Sequence, residues 1–239
     1  MKLPATFTDL GLIEYGAAWD LQEHLFNRII AQKKAGLAQT DNFLLFCEHP
    51  HVYTLGKSGA ESNLLLNAIQ LQAKDAAFFR TNRGGDITYH GPGQIVGYPI
   101  LNLEVMVSGA REYIEKMEEA IILTLGRYDI KSERLGGATG VWLDTDKPGR
   151  TRKICAIGVR TSHWVSMHGF AFNVNTDLQY FNYINPCGFT DKAVTSLSAE
   201  LGRPVEINEV KSLLAEQLAL VFGLELNSVL PSSLNESIL

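Results

Sequence analysis

The sequence predicts an α+β fold, a single domain in which a mixed or antiparallel sheet carries flanking helices. Helical and strand-like segments mix without a repeating βαβ spacing, which argues against a doubly wound sheet. The strand-like runs of the second half follow one another through short turns, as in an antiparallel meander. No internal repeat, low-complexity tract or Pro/Ser-rich linker appears before the last dozen of the 239 residues. One domain over residues 1–225, with a loose Ser/Asn/Pro-containing tail over 226–239, is the simplest organisation.

Residues 15–35 read as an amphipathic helix, with Ala18, Leu21, Leu25 and Ile29 at three- and four-residue steps and Lys33, Lys34 and Gly36 at its end. Phe43 to Cys47 is an apolar run of strand length, and 77–81 is a second strand candidate before a glycine-rich stretch at 83–94. Residues 95–103 return to strand composition. A second helix is predicted over 110–128, where Tyr113, Met117, Ile121 and Leu125 recur every four residues. Strands at 141–143 and 152–160 are joined by a turn at 144–149, and 164–174 forms the third strand of that meander. Asn208 is placed to cap a last helix whose buried stripe is Val210, Leu214, Leu218 and Val221.

Composition narrows the function classes. With 46% hydrophobic and 20% charged residues the chain is of ordinary globular type and long enough to need no metal or disulfide staple. No apolar stretch approaches the ~20 residues that span a bilayer. The N-terminal residues lack a charged segment leading into an apolar run, so a cytoplasmic protein with no membrane association is expected. The three cysteines, Cys47, Cys155 and Cys187, are widely spaced. They suggest neither a disulfide framework nor a zinc ribbon. A net charge of −5 gives no support to nucleic-acid binding. One basic cluster, Lys147, Arg150, Arg152, Lys153 and Arg160, is either a solvated loop or a dock for an acidic partner.

The most distinctive stretch is Arg83-Gly84-Gly85-Asp86-Ile87-Thr88-Tyr89-His90-Gly91-Pro92-Gly93-Gln94. Its glycines let backbone approach a ligand closely, although a plain hairpin would use them too. It is neither a P-loop nor a dinucleotide fingerprint. His49, His51 and His90 lack a third ligand at metal spacing, so no metal site is expected. His24 and His163 read as incidental.

This stretch resembles the signature of the lipoate-biosynthesis octanoyltransferases: Arg-Gly-Gly, two variable residues, Thr, an aromatic, His, then Gly-Gln. The resemblance runs from Glu14 to Leu197. It takes in Glu48-His49-Pro50 with Val52-Tyr53-Thr54-Leu55-Gly56, and Arg152-Lys153-Ile154-Cys155-Ala156-Ile157-Gly158. It continues through His168-Gly169-Phe170-Ala171, Asn173-Val174-Asn175 and Asn185-Pro186-Cys187-Gly188, all in family order. It implies the fold of biotin and lipoate ligases, related to class II synthetases.

The resemblance also implies an acyltransferase that moves octanoyl from octanoyl-acyl-carrier protein to a lysine of apo lipoyl domains. Those domains belong to 2-oxoacid dehydrogenase E2 subunits and the glycine cleavage H protein. The implied nucleophile is Cys187, forming a thioester, with Lys153 as its partner and neither metal nor ATP as cofactor. A free thiol, with pKa about 8.5, is mostly protonated at neutral pH, and a neighbouring ammonium favours the thiolate. The implied substrate-binding residues are Arg83, Gly84, Gly85, Asp86, Ile87, Thr88, Tyr89, His90, Ala156, Ile157, Gly158, Gly169, Phe170 and Ala171. Small residues at Ala156, Gly158, Gly169 and Ala171 would leave a slot for an acyl chain, or would let strands pack tightly with no ligand.

If 153–159 is a regular strand, Lys153, Cys155, Ile157 and Val159 share one face. Cys155 could rival Cys187 as the reactive thiol, but the Asn-Pro-Cys-Gly setting of Cys187 is turn chemistry and accessible. Rival functions are an ATP-dependent lipoate or biotin ligase, an amidotransferase drawing on another lipoyl protein, and a catalytically silent binding module.

Overall fold

The computed structural model describes residues 2–185 and 193–236. In chain order its strands are β1 (Leu3–Leu12), β2 (Phe43–Glu48), β3 (Val52–Leu55), β4 (Ala77–Arg80), β5 (Ile87–His90) and β6 (Gln94–Ile100). They continue as β7 (Glu133–Leu135), β8 (Ala138–Leu143), β9 (Arg152–Ser162), β10 (Val165–Asn173), β11 (Ala193–Val194) and β12 (Leu224–Ser228). The helices are α1 (Tyr15–Lys34), α2 (Ala68–Gln72), α3 (Ala110–Gly126), α4 (Leu197–Leu201), α5 (Ile207–Phe222) and α6 (Pro231–Glu236).

The main sheet runs β12-β1-β2-β6-β10-β9-β8-β7, and β11 pairs with β9. It is mixed: β1 is parallel to both β12 and β2, whereas the steps from β2 through β6, β10, β9 and β8 to β7 are antiparallel. A smaller sheet, β4-β3-β5, lies apart from it. The α+β architecture is therefore as expected, with the 141–174 meander as its antiparallel half.

Alternation along β2 explains why that run is apolar throughout. Leu44 and Phe46 face one cluster with α3 and α5, while Phe43, Leu45 and Cys47 face another with α1. Tyr113, Met117, Ile121 and Leu125 of α3 are fully buried, as their spacing predicts. Each such side chain contributes on the order of 1.5–3 kcal/mol of transfer free energy. A third cluster, with Tyr53, Leu55, Ile87, Tyr89 and Ile184, sits under the small sheet.

Three expectations need correction. Asn208 is not the cap of α5: Ile207 is already helical, and the capping position falls on Glu206, which makes no side-chain cap hydrogen bond. The last buried position of that stripe is Phe222, not the partly buried Val221. The segment expected as a loose tail is attached to the sheet. β12 pairs with β1 from Leu3↔Leu224 to Phe7↔Ser228, and α6 buries Leu234. The exposed edge of β1 supplies unpaired backbone groups that such a segment satisfies. Among the described residues no helix is long and apolar enough to cross a membrane.

Candidate active site

On the α1 face of the main sheet, between β8–β9–β10 and the small sheet, lies a cavity of about 740 Å³. Three segments far apart in sequence supply its wall. Arg83, Gly85, Asp86, Ile87, Thr88 and His90 come from the glycine-rich stretch; Lys153, Ala156, Ile157 and Gly158 from β9; Gly169, Phe170 and Ala171 from β10. Of the residues implied by the sequence, Gly84 and Tyr89 do not line it. Gly84 donates its N–H to Val159 O at 2.8 Å, tying the loop to β9. The buried Tyr89 points the other way, its hydroxyl 2.7 Å from His51 Nδ1 and its ring stacked on Tyr180.

The glycines serve close backbone approach. A Cβ on Gly56 would stand 2.3 Å from Gly85 O, and one on Gly158 would stand 2.9 Å from Gly84 O. One on Gly169 would meet Gly97 O at 2.1 Å. For Gly158 and Gly169 the packing of neighbouring backbone is thus sufficient reason for a small residue. Asp86 secures the loop by accepting from Asn63 Nδ2 at 3.0 and 2.8 Å and from the N–H of Ile87 at 2.6 Å.

A continuous hydrogen-bonded chain crosses the cavity wall. Arg83 donates Nη2–H to Thr54 O at 2.6 Å and to Thr54 Oγ1 at 2.9 Å, and Thr54 Oγ1 lies 3.2 Å from His90 Nε2. His90 Nδ1 is 2.8 Å from Gln94 Oε1. Gln94 Nε2 donates to Tyr89 O and to Asn173 Oδ1, and Asn173 Nδ2 donates to Thr195 O. Because the Gln94 amide nitrogen is committed to two acceptors, its oxygen faces His90. The imidazole therefore carries its proton on Nδ1 and accepts from Thr54 on Nε2. Burial, then the neighbouring His49 and Arg83, push the His90 pKa down to about 3, so the ring is neutral.

Lys153 is half-buried at the opposite end of the wall, its Nζ 4.5 Å from the Trp142 ring centroid. The expectation that it shares a face with Cys155 is wrong. β8 pairs Val141 with Cys155 but the next residue, Trp142, with Lys153, so β9 bulges at Ile154. A bulge puts an extra residue on one strand and breaks the two-residue alternation. Cys155 consequently follows Val141 into the α3/α5 core, while Lys153 follows Trp142 to the cavity, with Ala156 and Gly158. Cys47 and Cys155 are buried thiols whose pKa values burial pushes up, which removes both as ready nucleophiles. Cys187 lies outside the described residues. Asn185 and Ala193, the described residues nearest to it on either side in the chain, both line the cavity.

Residues 14–219 match the model of the lipoyl protein ligase A/B catalytic domain. The chain belongs to this family. Among curated lipoyl ligase A/B family relatives, an octanoyltransferase of Cytophaga hutchinsonii is 52% identical over 227 residues, covering 92% of this chain and 93% of that protein. Octanoyltransferases of Bacteroides fragilis and Flavobacterium johnsoniae are each 54% identical, covering 88% and 91% of this chain and 95% and 96% of their own lengths. The fold is also that of solved lipoate-protein ligases. The bipartite ligase of Thermoplasma acidophilum superposes with TM-score 0.71 at 14% identity, covering 99% of this chain and 90% of that one. A lipoate-protein ligase A bound with ATP superposes with TM-score 0.70 at 15% identity, covering 100% and 92%. At such identities the likeness concerns the fold alone.

In this lipoyl ligase A/B family member the basic cluster near β9 is largely neutralised internally. Arg152 forms a two-pronged pair with Glu200 at 2.7 and 2.6 Å and a third bond to Asp144 at 2.5 Å; Lys147 also pairs with Asp144. Arg152 and then Lys147 hold the Asp144 carboxyl down to about 2. Arg160 pairs with Glu23 at 3.6 Å and covers the Phe26 ring. Arg152 is therefore a structural cation, not a free docking charge.

The family motifs contain Gln94, His168 and Asn173, all on the cavity wall, without marking them as part of it. Asn185 likewise opens the motif of Cys187, whereas Tyr15, Tyr98, Trp142 and the 178–184 wall carry no sequence signal that would have singled them out. Among the described residues no cluster of metal-ligating side chains occurs.

Proposed function

We propose that this chain is an octanoyltransferase of protein lipoylation, using octanoyl-acyl-carrier protein as donor and lysines of apo lipoyl domains as acceptors. The acceptors are those of 2-oxoacid dehydrogenase E2 subunits and the glycine cleavage H protein. The observation that carries this reading is the cavity. It is large enough for an acyl chain and bears Lys153 at one end, and the chain enters and leaves the segment of Cys187 at its wall. Relatives named octanoyltransferase, matched over nearly their whole length, support it. The chain acts as one catalytic domain that includes β12 and α6 beyond residue 225.

In this mechanism the Cys187 thiolate attacks the thioester carbonyl carbon of the donor. The new C–S bond forms as the bond to the carrier's pantetheine sulfur breaks, and the departing thiolate takes a proton from Lys153. The substrate lysine amine then attacks the acyl-enzyme carbonyl. An amide forms, the Cys187 sulfur leaves as thiolate, and the amine's surplus proton returns to Lys153. Thioester exchange is nearly balanced and amide formation runs downhill, so neither step needs ATP or a metal. Burying the acyl chain contributes about 0.8 kcal/mol per methylene and holds the carbonyl carbon against the sulfur.

The test is intact mass of the purified protein after brief incubation with octanoyl-acyl-carrier protein without nucleotide. One octanoyl adduct, removed by hydroxylamine and missing in Cys187→Ala, is expected. Labelling only when octanoate and ATP are supplied would overturn the reading in favour of a ligase.

A further inference from the structure

The bulge that turns Lys153 toward the cavity also decides what its side chain meets there. Trp142 of β8 pairs directly with Lys153 across the ladder. A Cβ on Gly140 would lie 3.5 Å from Lys153 Cε, so the methylene stem passes beside a position that carries no side chain. The Nζ then reaches the Trp142 ring, 4.5 Å from its centroid, within the range of a cation–π contact.

Both partners of this contact are anchored. Trp142 is 2% exposed, and its Nε1–H donates to Ala138 O at 2.9 Å, which fixes the plane of the indole. The Gly140 N–H donates to the buried Glu118 carboxylate at 2.9 Å and so ties that part of β8 to α3. On the other side of β9, Val194 of β11 pairs with Lys153, and Thr195 donates its N–H to Lys153 O at 2.9 Å. The lysine backbone is thus held between two strands, and the flexible four-carbon stem is the part that needs placing.

We propose that Trp142 is the positioning residue of Lys153: its ring face seats the ammonium at the cavity wall for proton exchange with sulfur and amine. The proposal rests on the acyl-transfer reading above. An indole face is the strongest aromatic partner for a cation, and the attraction grows where water is excluded. The ring attracts the charge yet has no basic lone pair, so the proton stays available for the departing thiolate. Without the ring the stem would spread over several staggered rotamers, and fewer of them would hold Nζ in reach of the reacting groups. The contact therefore acts on kcat and not on binding of the acyl donor.

The experiment replaces tryptophan by its monofluoro and difluoro analogues during expression, which weakens the negative ring face at nearly constant shape. Octanoyl transfer from octanoyl-acyl-carrier protein to a lipoyl domain is then followed as kcat and KM. In the wild type, kcat should fall about twofold or more with each fluorine while KM for the donor stays unchanged. The chain has three tryptophans, so the same series in Trp142→Phe reports Trp19 and Trp164 alone and should be flat. It should also be flat on the residual rate of Lys153→Met, because the ring acts through that lysine. Trp142→Leu should lose about tenfold or more in kcat, and Trp142→Phe, which keeps a ring face, should lose less. Should the leucine variant fail to fold, the fluorinated wild type carries the test. A flat wild-type series, a fall that persists in Trp142→Phe or Lys153→Met, or a change in KM in place of kcat overturns the role. Failure of the unlabelled wild type to transfer octanoyl at all would instead remove the acyl-transfer reading.

Discussion

At the scale of single residues the site is marked by imidazoles kept neutral. Burial is the leading cause in each case: it lowers His49 to about 4, and His90 and His168 to about 3. The unfolded chain binds protons on these rings near pH 6.5, so below that pH it holds more protons than the folded protein. The stability they contribute is complete above about pH 6.5 and is lost as the pH falls toward 4, by up to about 1.4 kcal/mol per pH unit for each ring. Urea denaturation at pH 7 and pH 5 should show a marked loss at the lower pH; equal midpoints would refute the assignment. Thr54→Val is the second prediction. It removes one acceptor of Arg83, the hydroxyl, and the donor to His90 at nearly constant volume, and leaves the Thr54 carbonyl bond to Arg83 intact. It should cost ~1–3 kcal/mol in denaturation and raise KM for the acyl donor. The sequence marks Arg83 and His90 through their motif. Thr54, which joins them, stands in a different motif, and only the pairing of β3 with β5 brings it between them.

At the scale of elements, periodicity reads helices well and bulges poorly. α1 and α3 lie within two residues of their expected bounds because their apolar steps are regular. β1 has no comparable signal, with Pro4, two threonines and Gly11 mixed among its apolar residues. Strict alternation predicts the wrong face for Lys153 because one inserted residue at Ile154 inverts the parity that a strand pattern assumes. Two element-scale predictions follow from the packing. Gly158→Ala should push the Arg83 loop off β9 and raise KM for the donor more than it lowers kcat, since the added carbon meets Gly84 O. Glu200→Gln weakens two anchors together, the Arg152 pair and the bond from Thr195 Oγ1, which hold the chain where it rejoins β9 beside Lys153. A fall in Tm equivalent to ~1–2 kcal/mol is expected, with lower kcat; unchanged kcat would mean that this junction does not position the site.

At the scale of the whole molecule, the family was legible because its motifs occur in order along the chain. The cavity was not, because it exists only where β5, β9, β10 and the 178–185 segment converge. The C-terminus illustrates the same limit. Its composition suggests looseness, yet β12 closes the edge beside β1, and Lys211 of α5 reaches across to Asp9 at 2.9 Å and Glu48 at 3.5 Å. Deleting residues 224–239 should leave β1 as an open edge and make the protein self-associate, measurable by light scattering; a monodisperse truncated protein would argue against this role.

The hydrogen-bonded chain from Arg83 to Thr195 has a single polarity. Every link donates in the same direction, from the guanidinium through Thr54, His90, Gln94 and Asn173 to a carbonyl oxygen. Two of its members are carboxamides, which do not readily pass a proton on. The wall is therefore an oriented row of dipoles and an insulator, not a wire. Protons exchanged at the Lys153 end cannot drain to His90, and the pH–rate profile of acyl transfer should show no imidazole limb between pH 5 and about 8.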